Sequence, residues 1–231
     1  MKKERGDKGA ISSSIPALDE SLHKGGFRKG SIILIVGDPG SRKDLFGYHF
    51  LLEGLQKGEK VAFYDVESSS DEVLELMEDN VTEEMLQGLE FMDVCPEYSK
   101  FFINAAPAKI LESMRTLDPI STNRVLINPL TFFIEKFGLR DTGDLIIMIR
   151  DIAMKKGLVV MFLMADILLE KEMESVIDKF DGILELDTVR IIEGIYHTIQ
   201  VRKFSVQQKN VQLTYNIDET RIMVTSTGKI I

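Results

Sequence analysis

The chain has 231 residues, 44% of them hydrophobic, and a formal net charge of −9. That length suits one large domain or two small ones with a sizeable core, and no apolar run approaches the roughly 20 residues a membrane span needs. The acidic balance disfavours a general nucleic-acid binder, because phosphate contacts need local positive charge. Cys95 is the only cysteine, which excludes an internal disulfide and a cysteine-rich metal site.

The first residues, Met1 to Asp7, are charged and no apolar stretch follows them. The expectation is therefore no signal peptide and a cytoplasmic protein. Residues 1–10 read as a flexible tail, and 11–231 as a single domain. Ser31–Val36 is continuously apolar and β-branched, which suits a strand buried on both faces. It runs into a turn composition, Gly37, Asp38, Pro39 and Gly40. Leu45, Tyr48, Leu52 and Leu55 then recur at helical spacing, with Gly58 as the stop. A second strand is predicted at about Val61–Val66, and Ser69 and Glu72 have capping-box spacing.

Asn123–Asn128 reads as another buried strand. Leu145, Met148, Ile149 and Ile152 mark an amphipathic helix ending at Gly157, and Leu158–Met164 a further strand. The alternation predicts βαβ units around a mainly parallel sheet flanked by helices, an α/β fold. After Asp181 short apolar runs at Ile183–Leu186, Ile195–Phe204, Val211–Ile217 and Arg221–Thr225 predict antiparallel strands that extend the sheet.

The segment from Gly37 to Asp44 lies between a strand and a helix, the context of the phosphate-binding loop G-x-x-x-x-G-K-[ST]. In such a loop backbone N–H groups and a helix N-terminus hold phosphates. Gly37 and Lys43 stand at the right spacing, with Asp38, Pro39, Gly40 and Ser41 between. Arg42 replaces the second glycine and Asp44 replaces the hydroxyl residue. Arg42 crowds the backbone but attracts anions. Asp44 opposes phosphate, since two unit charges about 4 Å apart repel by roughly 4 kcal/mol at an effective dielectric of about 20, but Lys43 and Arg42 counter it, so phosphate binding is weakened rather than lost. Asp44 is also a candidate Mg²⁺ ligand. Read plainly, the segment is a strand–turn–helix that binds nothing.

Taken with its neighbours, this loop resembles the KaiC-like branch of the RecA-superfamily P-loop ATPases. The resemblance rests on Ile11–Asp19, reading Ile-Ser-Ser-Ser-Ile-Pro-Ala-Leu-Asp, and on Gly25 and Gly26. It also rests on Arg28–Ser31, Phe50–Leu55, Gly58–Lys60 and Asp181–Leu186. It implies a RecA-like fold with ATP and Mg²⁺ held between neighbouring protomers. It also implies a paired Glu-Glu after the second strand, where the sequence has Glu67 and Ser68. One water-activating carboxylate is kept and the other is lost. The Walker B aspartate corresponds to Asn128, which can bond a metal-bound water but adds no charge. A Lys-x-Arg pair that crosses to the next protomer's nucleotide corresponds to Lys203 and Ser205, keeping only the lysine. Without the resemblance, Glu67 is a helix-leading acid, favourable near a helix N-terminus, Asn128 a strand-end turn residue, and Lys203 solvated surface.

The leading expectation is thus a pseudo-ATPase: a regulatory, signal-transducing or assembly module that binds ATP weakly or not at all. One alternative is a slow ATPase using Asp44 and Glu67. Another is a recombinase-like DNA-binding subunit, which the charge and the single cation within Glu97–Phe102 disfavour. Self-association or pairing with an intact relative is expected, with Phe27, Phe101 and Phe102 as residues for that contact or, equally, for the core. No nucleic acid or membrane partner is expected.

Overall fold

The computed structural model describes residues 9–22, 24–67, 70–77, 81–94, 100–166, 173–191, 194–204, 211–218 and 221–229. Two short strands come first: β1 (Ala10–Ile11) pairs antiparallel with β2 (Phe27–Arg28) around α1 (Pro16–Ser21). Ala10, assigned to the tail by composition, is therefore already in a strand.

The remaining strands form one nine-stranded sheet. In chain order they are β3 (Ile32–Gly37), β4 (Lys60–Asp65), β5 (Leu89–Asp93), β6 (Thr122–Asn128), β7 (Val159–Ala165), β8 (Gly182–Ile191), β9 (Gly194–Phe204), β10 (Val211–Asp218) and β11 (Arg221–Lys229). The spatial order is β11-β10-β9-β8-β3-β7-β6-β4-β5, which puts β3 at the centre. From β8 to β5 all neighbours are parallel, and β9, β10 and β11 continue antiparallel. The predicted C-terminal extension is present, with one correction. The first of its strands, β8, runs parallel to β3 and belongs to the parallel body.

Among the described residues six helices cross between these strands: α2 (Lys43–Gln56), α3 (Ser70–Met77), α4 (Glu83–Leu86), α5 (Lys100–Thr116), α6 (Leu130–Lys156) and α7 (Glu174–Ile177). Strand period two sends alternate residues to opposite faces, and β3 feeds both. Ile32, Leu34 and Val36 join the core under α5 and α6, with Ile110, Met114, Phe133 and Ile149. Ile33 and Ile35 join the opposite core under α1 and α2, with Leu18, Phe50 and Phe63. Phe27 lies in this second core, 1% exposed and edge-on to Phe50. It is a packing residue and not a surface contact. The helix predicted to end at Gly157 does so, but it begins at Leu130 and breaks at Gly138, whose φ of 75° is not helical.

One buried cation ties the second core together. Arg124 is fully buried, donates from Nη1 to the carbonyls of Ser12 and Phe50, and pairs with Glu53 and Glu59 at 3.1 Å each. Among the described residues no helix is long and apolar enough to cross a membrane.

Because the body of the sheet is parallel, the carboxyl ends of β3, β4 and β6 lie along one edge. Open α/β sheets bind their ligands at that edge.

Candidate functional site

The loop after β3 is built by folding the chain tightly back on itself. A Cβ at Gly37 would come within 2.4 Å of Ser41 Oγ, so only glycine leaves room for this return. Asp38 caps a single 3₁₀ turn, Pro39–Ser41, by accepting the Ser41 N–H on Oδ1 at 2.7 Å. Ser41 Oγ donates to the Asp38 carbonyl at 2.7 Å. Arg42 then takes a left-handed conformation, φ 52° and ψ 44°, before α2 starts at Lys43. A glycine adopts that conformation freely, whereas an L side chain loses roughly 1–2 kcal/mol.

The two departures from the loop motif bind each other. Arg42 Nε lies 3.2 Å from both carboxylate oxygens of Asp44, and Nη2 lies 3.1 Å from Oδ2. The Asp44 charge is offset by Arg42, and the Arg42 charge is likewise engaged. Both side chains are more than a third exposed, so the pair adds little stability. Its effect is on the local field, where Lys43 is the remaining cation of the loop.

Beside the loop opens a cavity of about 610 Å³. Asp44, Glu67, Glu72 and Glu75 line it, against Arg42 and Lys43, and Asn128 forms part of its wall. The strand edge therefore brings together Arg42, Lys43, Asp44, Glu67 and Asn128, five residues singled out from sequence. Among the described residues, no three His, Cys, Asp or Glu side chains are grouped to hold a metal ion by themselves. The Glu67 carboxyl is held above its ordinary range, first by desolvation and then by the Asp65 charge; Lys43 opposes the shift.

Asp65 is a site residue that the sequence reading missed. It ends β4, is fully buried, and its Oδ1 accepts from the Glu67 N–H at 3.0 Å and from Asn128 Nδ2 at 3.1 Å. The Asn128 amide is thereby oriented, with Nδ2 turned toward the neighbouring strand. The available signal was an acid at the end of a buried strand, next to the strand that ends in Asn128.

Lys203 lies elsewhere. Its Nζ donates to the Asp178 carbonyl at 2.9 Å and sits 3.7 Å from that residue's carboxylate. It pairs across from Ile183, which is level with Leu34 inside β3, whereas the loop starts at Gly37, level with Leu186. Lys203 and its own chain's loop are thus not brought together. Ser68 and Ser205 lie outside the described residues, as do the side chains of Phe101 and Phe102.

A family model described as the KaiC ATPase matches residues 11–229. A UPF0273 protein from Thermotoga maritima is 38% identical over 68 residues, covering 29% of this chain and 28% of that protein. One from Saccharolobus solfataricus is 42% identical over 57 residues, 25% of this chain and 20% of its own. The RecA protein of Ehrlichia chaffeensis is 40% identical over 62 residues, 27% and 17% of the two chains. The matched stretch thus spans 28% or less of these curated relatives. Among solved structures, a KaiC-like protein from Pyrococcus horikoshii superposes over 94% of this chain and 99% of its own, with a TM-score of 0.76 at 19% identity. That likeness is one of fold.

Proposed function

The chain belongs to the KaiC family of ATPases, whose members use ATP and Mg²⁺, and from that premise we propose that its nucleotide site is degenerate. On this reading the protein is a regulatory or assembly module that holds ATP weakly or not at all. The single observation that carries the reading is the Arg42–Asp44 ion pair at 3.1 Å. It joins the side chain at the position of the loop glycine to the one at the position of the Mg²⁺-binding hydroxyl.

The residues fit Mg·ATP poorly. Pro39 has no N–H to offer, the Ser41 N–H is given to Asp38, and Asp44 is engaged by Arg42. Asn128 brings no charge to a metal shell. Four carboxylates against two cations around the cavity oppose a polyphosphate further. Phosphoryl transfer depends on positioning and on charge stabilisation, and both are diminished here. Self-association, or pairing with an intact relative, would supply the module with its partner. The net charge of −9 leaves little counterion release to drive DNA binding.

A second reading is a slow ATPase. It is favoured by Glu67, whose raised proton affinity brings a carboxylate closer to the range useful for activating water.

Calorimetric ATP titration with and without Mg²⁺, on the native chain and three variants, tests the first reading. Asp44→Thr removes a carboxylate and releases Arg42 toward phosphate, so ATP binding should tighten by roughly tenfold, given the exposure of the pair. Arg42→Gly alone leaves Asp44 unopposed and should weaken binding. The double variant, which restores both motif residues, should tighten ATP binding relative to the native chain. Tight ATP binding by the native chain together with ordinary rates of phosphate release would overturn the degenerate reading. Phosphate release that is slow but abolished by Glu67→Gln would establish the second.

A further inference from the structure

Ser41 is completely buried, and each of its polar groups is already bonded. Its N–H goes to Asp38 Oδ1 at 2.7 Å, its Oγ to the Asp38 carbonyl at 2.7 Å, and its carbonyl accepts the Tyr215 hydroxyl at 2.7 Å. Tyr215 stands on β10, 174 residues away in sequence. A second C-terminal residue reaches the same turn: Thr188 Oγ1, on β8, lies 3.1 Å from Asp38 Oδ1. A threonine hydroxyl has one proton. Since Thr188 spends it on a carboxylate, which can only accept, its contact with His197 Nδ1 at 3.3 Å requires His197 to donate. The order is His197 Nδ1–H to Thr188, Thr188 O–H to Asp38, with Ser41 N–H closing on the same carboxylate oxygen.

We propose that β8 and β10 latch the phosphate loop shut, with Tyr215 and Thr188 as the latch and the Asp38 carboxylate occupying the loop N–H that an anion would use. The proposal rests on the reading of this loop as a nucleotide site. The surroundings are shaped for such a latch. A Cβ at Gly40 would lie 3.1 Å from Asp38 Oδ1 and 3.5 Å from Thr188 Oγ1, so glycine leaves the carboxylate its place. The Tyr215 ring is fixed edge-on against Phe46 at 5.5 Å and beside His197 at 5.2 Å. Burial, and then the carboxylates of Asp38, Asp187 and Asp44, push the Tyr215 hydroxyl well above its ordinary range. At neutral pH it is a donor. Two loop groups, one carbonyl and one carboxylate, are thus held from the far end of the chain. An entering phosphate must displace Asp38 from Ser41, and the latch opposes that displacement.

The test uses the full chain and two readouts. Amide hydrogen exchange over residues 37–44 is measured without nucleotide, with the interior of α2 as the control for global opening. Affinity is measured with Mg·ATP and with inorganic tripolyphosphate. Tyr215→Phe keeps the ring and deletes the donor; Thr188→Val keeps the shape and deletes the hydroxyl; Thr188→Ser keeps the hydroxyl. The first two should speed loop exchange by about tenfold or more, the equivalent of one lost hydrogen bond, without a matching change in α2. Thr188→Ser should leave it unchanged. Both probes should bind more tightly to the first two variants. Loop exchange unaltered in both Tyr215→Phe and Thr188→Val overturns the latch, whatever the affinities do. Faster exchange with unaltered affinity for both probes leaves the latch standing and instead rejects the loop as a nucleotide site.

Discussion

At the end of β6, Asn128 and Asp65 share one bond, and that bond gives an asparagine at this position a partner that an aspartate would lack. An aspartate at 128 would set two carboxylates about 3 Å apart in a buried place, a repulsion on the order of 5 kcal/mol at an effective dielectric of about 20. One of the two would instead take up a proton. Asn128→Asp, the change that restores the family residue, should therefore destabilise the fold by about 1–3 kcal/mol at neutral pH. The loss should shrink on acidification, because the carboxyl with the raised proton affinity is then protonated. Exchanging the pair, Asp65→Asn with Asn128→Asp, keeps one charge and one amide in contact and should recover most of the stability. Urea melts at neutral and mildly acidic pH measure both effects. Equal stability of Asn128→Asp and the native chain at neutral pH would show that Asp65 does not constrain position 128. None of this was legible in the sequence, which identified Asn128 as a residue lacking charge. The charge is present 3.1 Å away, on the neighbouring strand, and strand adjacency in a crossover sheet is not written in local pattern.

Helix α2 carries the loop's lysine at its first residue, and two glycines on its inner face determine how closely it lies on the sheet. A Cβ at Gly47 would meet Leu126 Cδ2 at 2.8 Å, and one at Gly54 would meet Arg124 Cδ at 2.7 Å and Val61 Cγ1 at 2.8 Å. Alanine is the better helix former by about 1 kcal/mol, but overpacking a filled interface costs about 1–3 kcal/mol. Gly47→Ala and Gly54→Ala should each be neutral to destabilising by up to about 2 kcal/mol. Gly54→Ala should be the worse, because Arg124 is held by four partners and has nowhere to move. Denaturant unfolding reports this directly, and a gain of stability in either variant would contradict the packing argument. The same element was clear from sequence, since Leu45, Tyr48, Leu52 and Leu55 repeat at helical spacing between a buried strand and Gly58. Other elements were not. β5 is an edge strand, only partly buried along its length, so it lacks the continuous apolar signature of β3. α5 contains Pro107, a residue type that ordinarily interrupts helices, so its local pattern does not mark a helix. β8 looked like its antiparallel successors because pairing direction leaves no mark on a short apolar run.

Across the whole molecule acidity dominates, and several carboxyls feel it. Glu67, Glu185 and Asp187 are all raised, each by desolvation first and by neighbouring carboxylates after it. A raised value in the folded state means the fold binds that proton more tightly than the unfolded chain. Stability is then fully present below the unfolded value and is lost as pH climbs through the raised one. Glu53 is lowered; its contribution is present above the unfolded carboxylate value and lost below it, outside the neutral range. On mild acidification from neutral pH Glu67, Glu185 and Asp187 should raise the thermal midpoint, opposed by His197, whose proton affinity burial lowers so that its contribution falls over the same range. Combining Glu67→Gln, Glu185→Gln and Asp187→Asn should flatten that dependence. A midpoint that falls on mild acidification even with His197→Asn in place would give the carboxyls the opposite sign. The central place of β3 has one more consequence, and it concerns time. Its flanking strands β7 and β8 are made more than a hundred residues after it, and Tyr215 follows Gly37 by about 180 residues. At about 5–20 residues per second, a ribosome needs roughly 10 to 40 seconds to deliver them. During that interval the nascent chain carries Ile-Ile-Leu-Ile-Val without a neighbour on either side, a ready substrate for chaperones, and any chain released before residue 188 lacks both Thr188 and Tyr215, the two residues that reach the loop after β3.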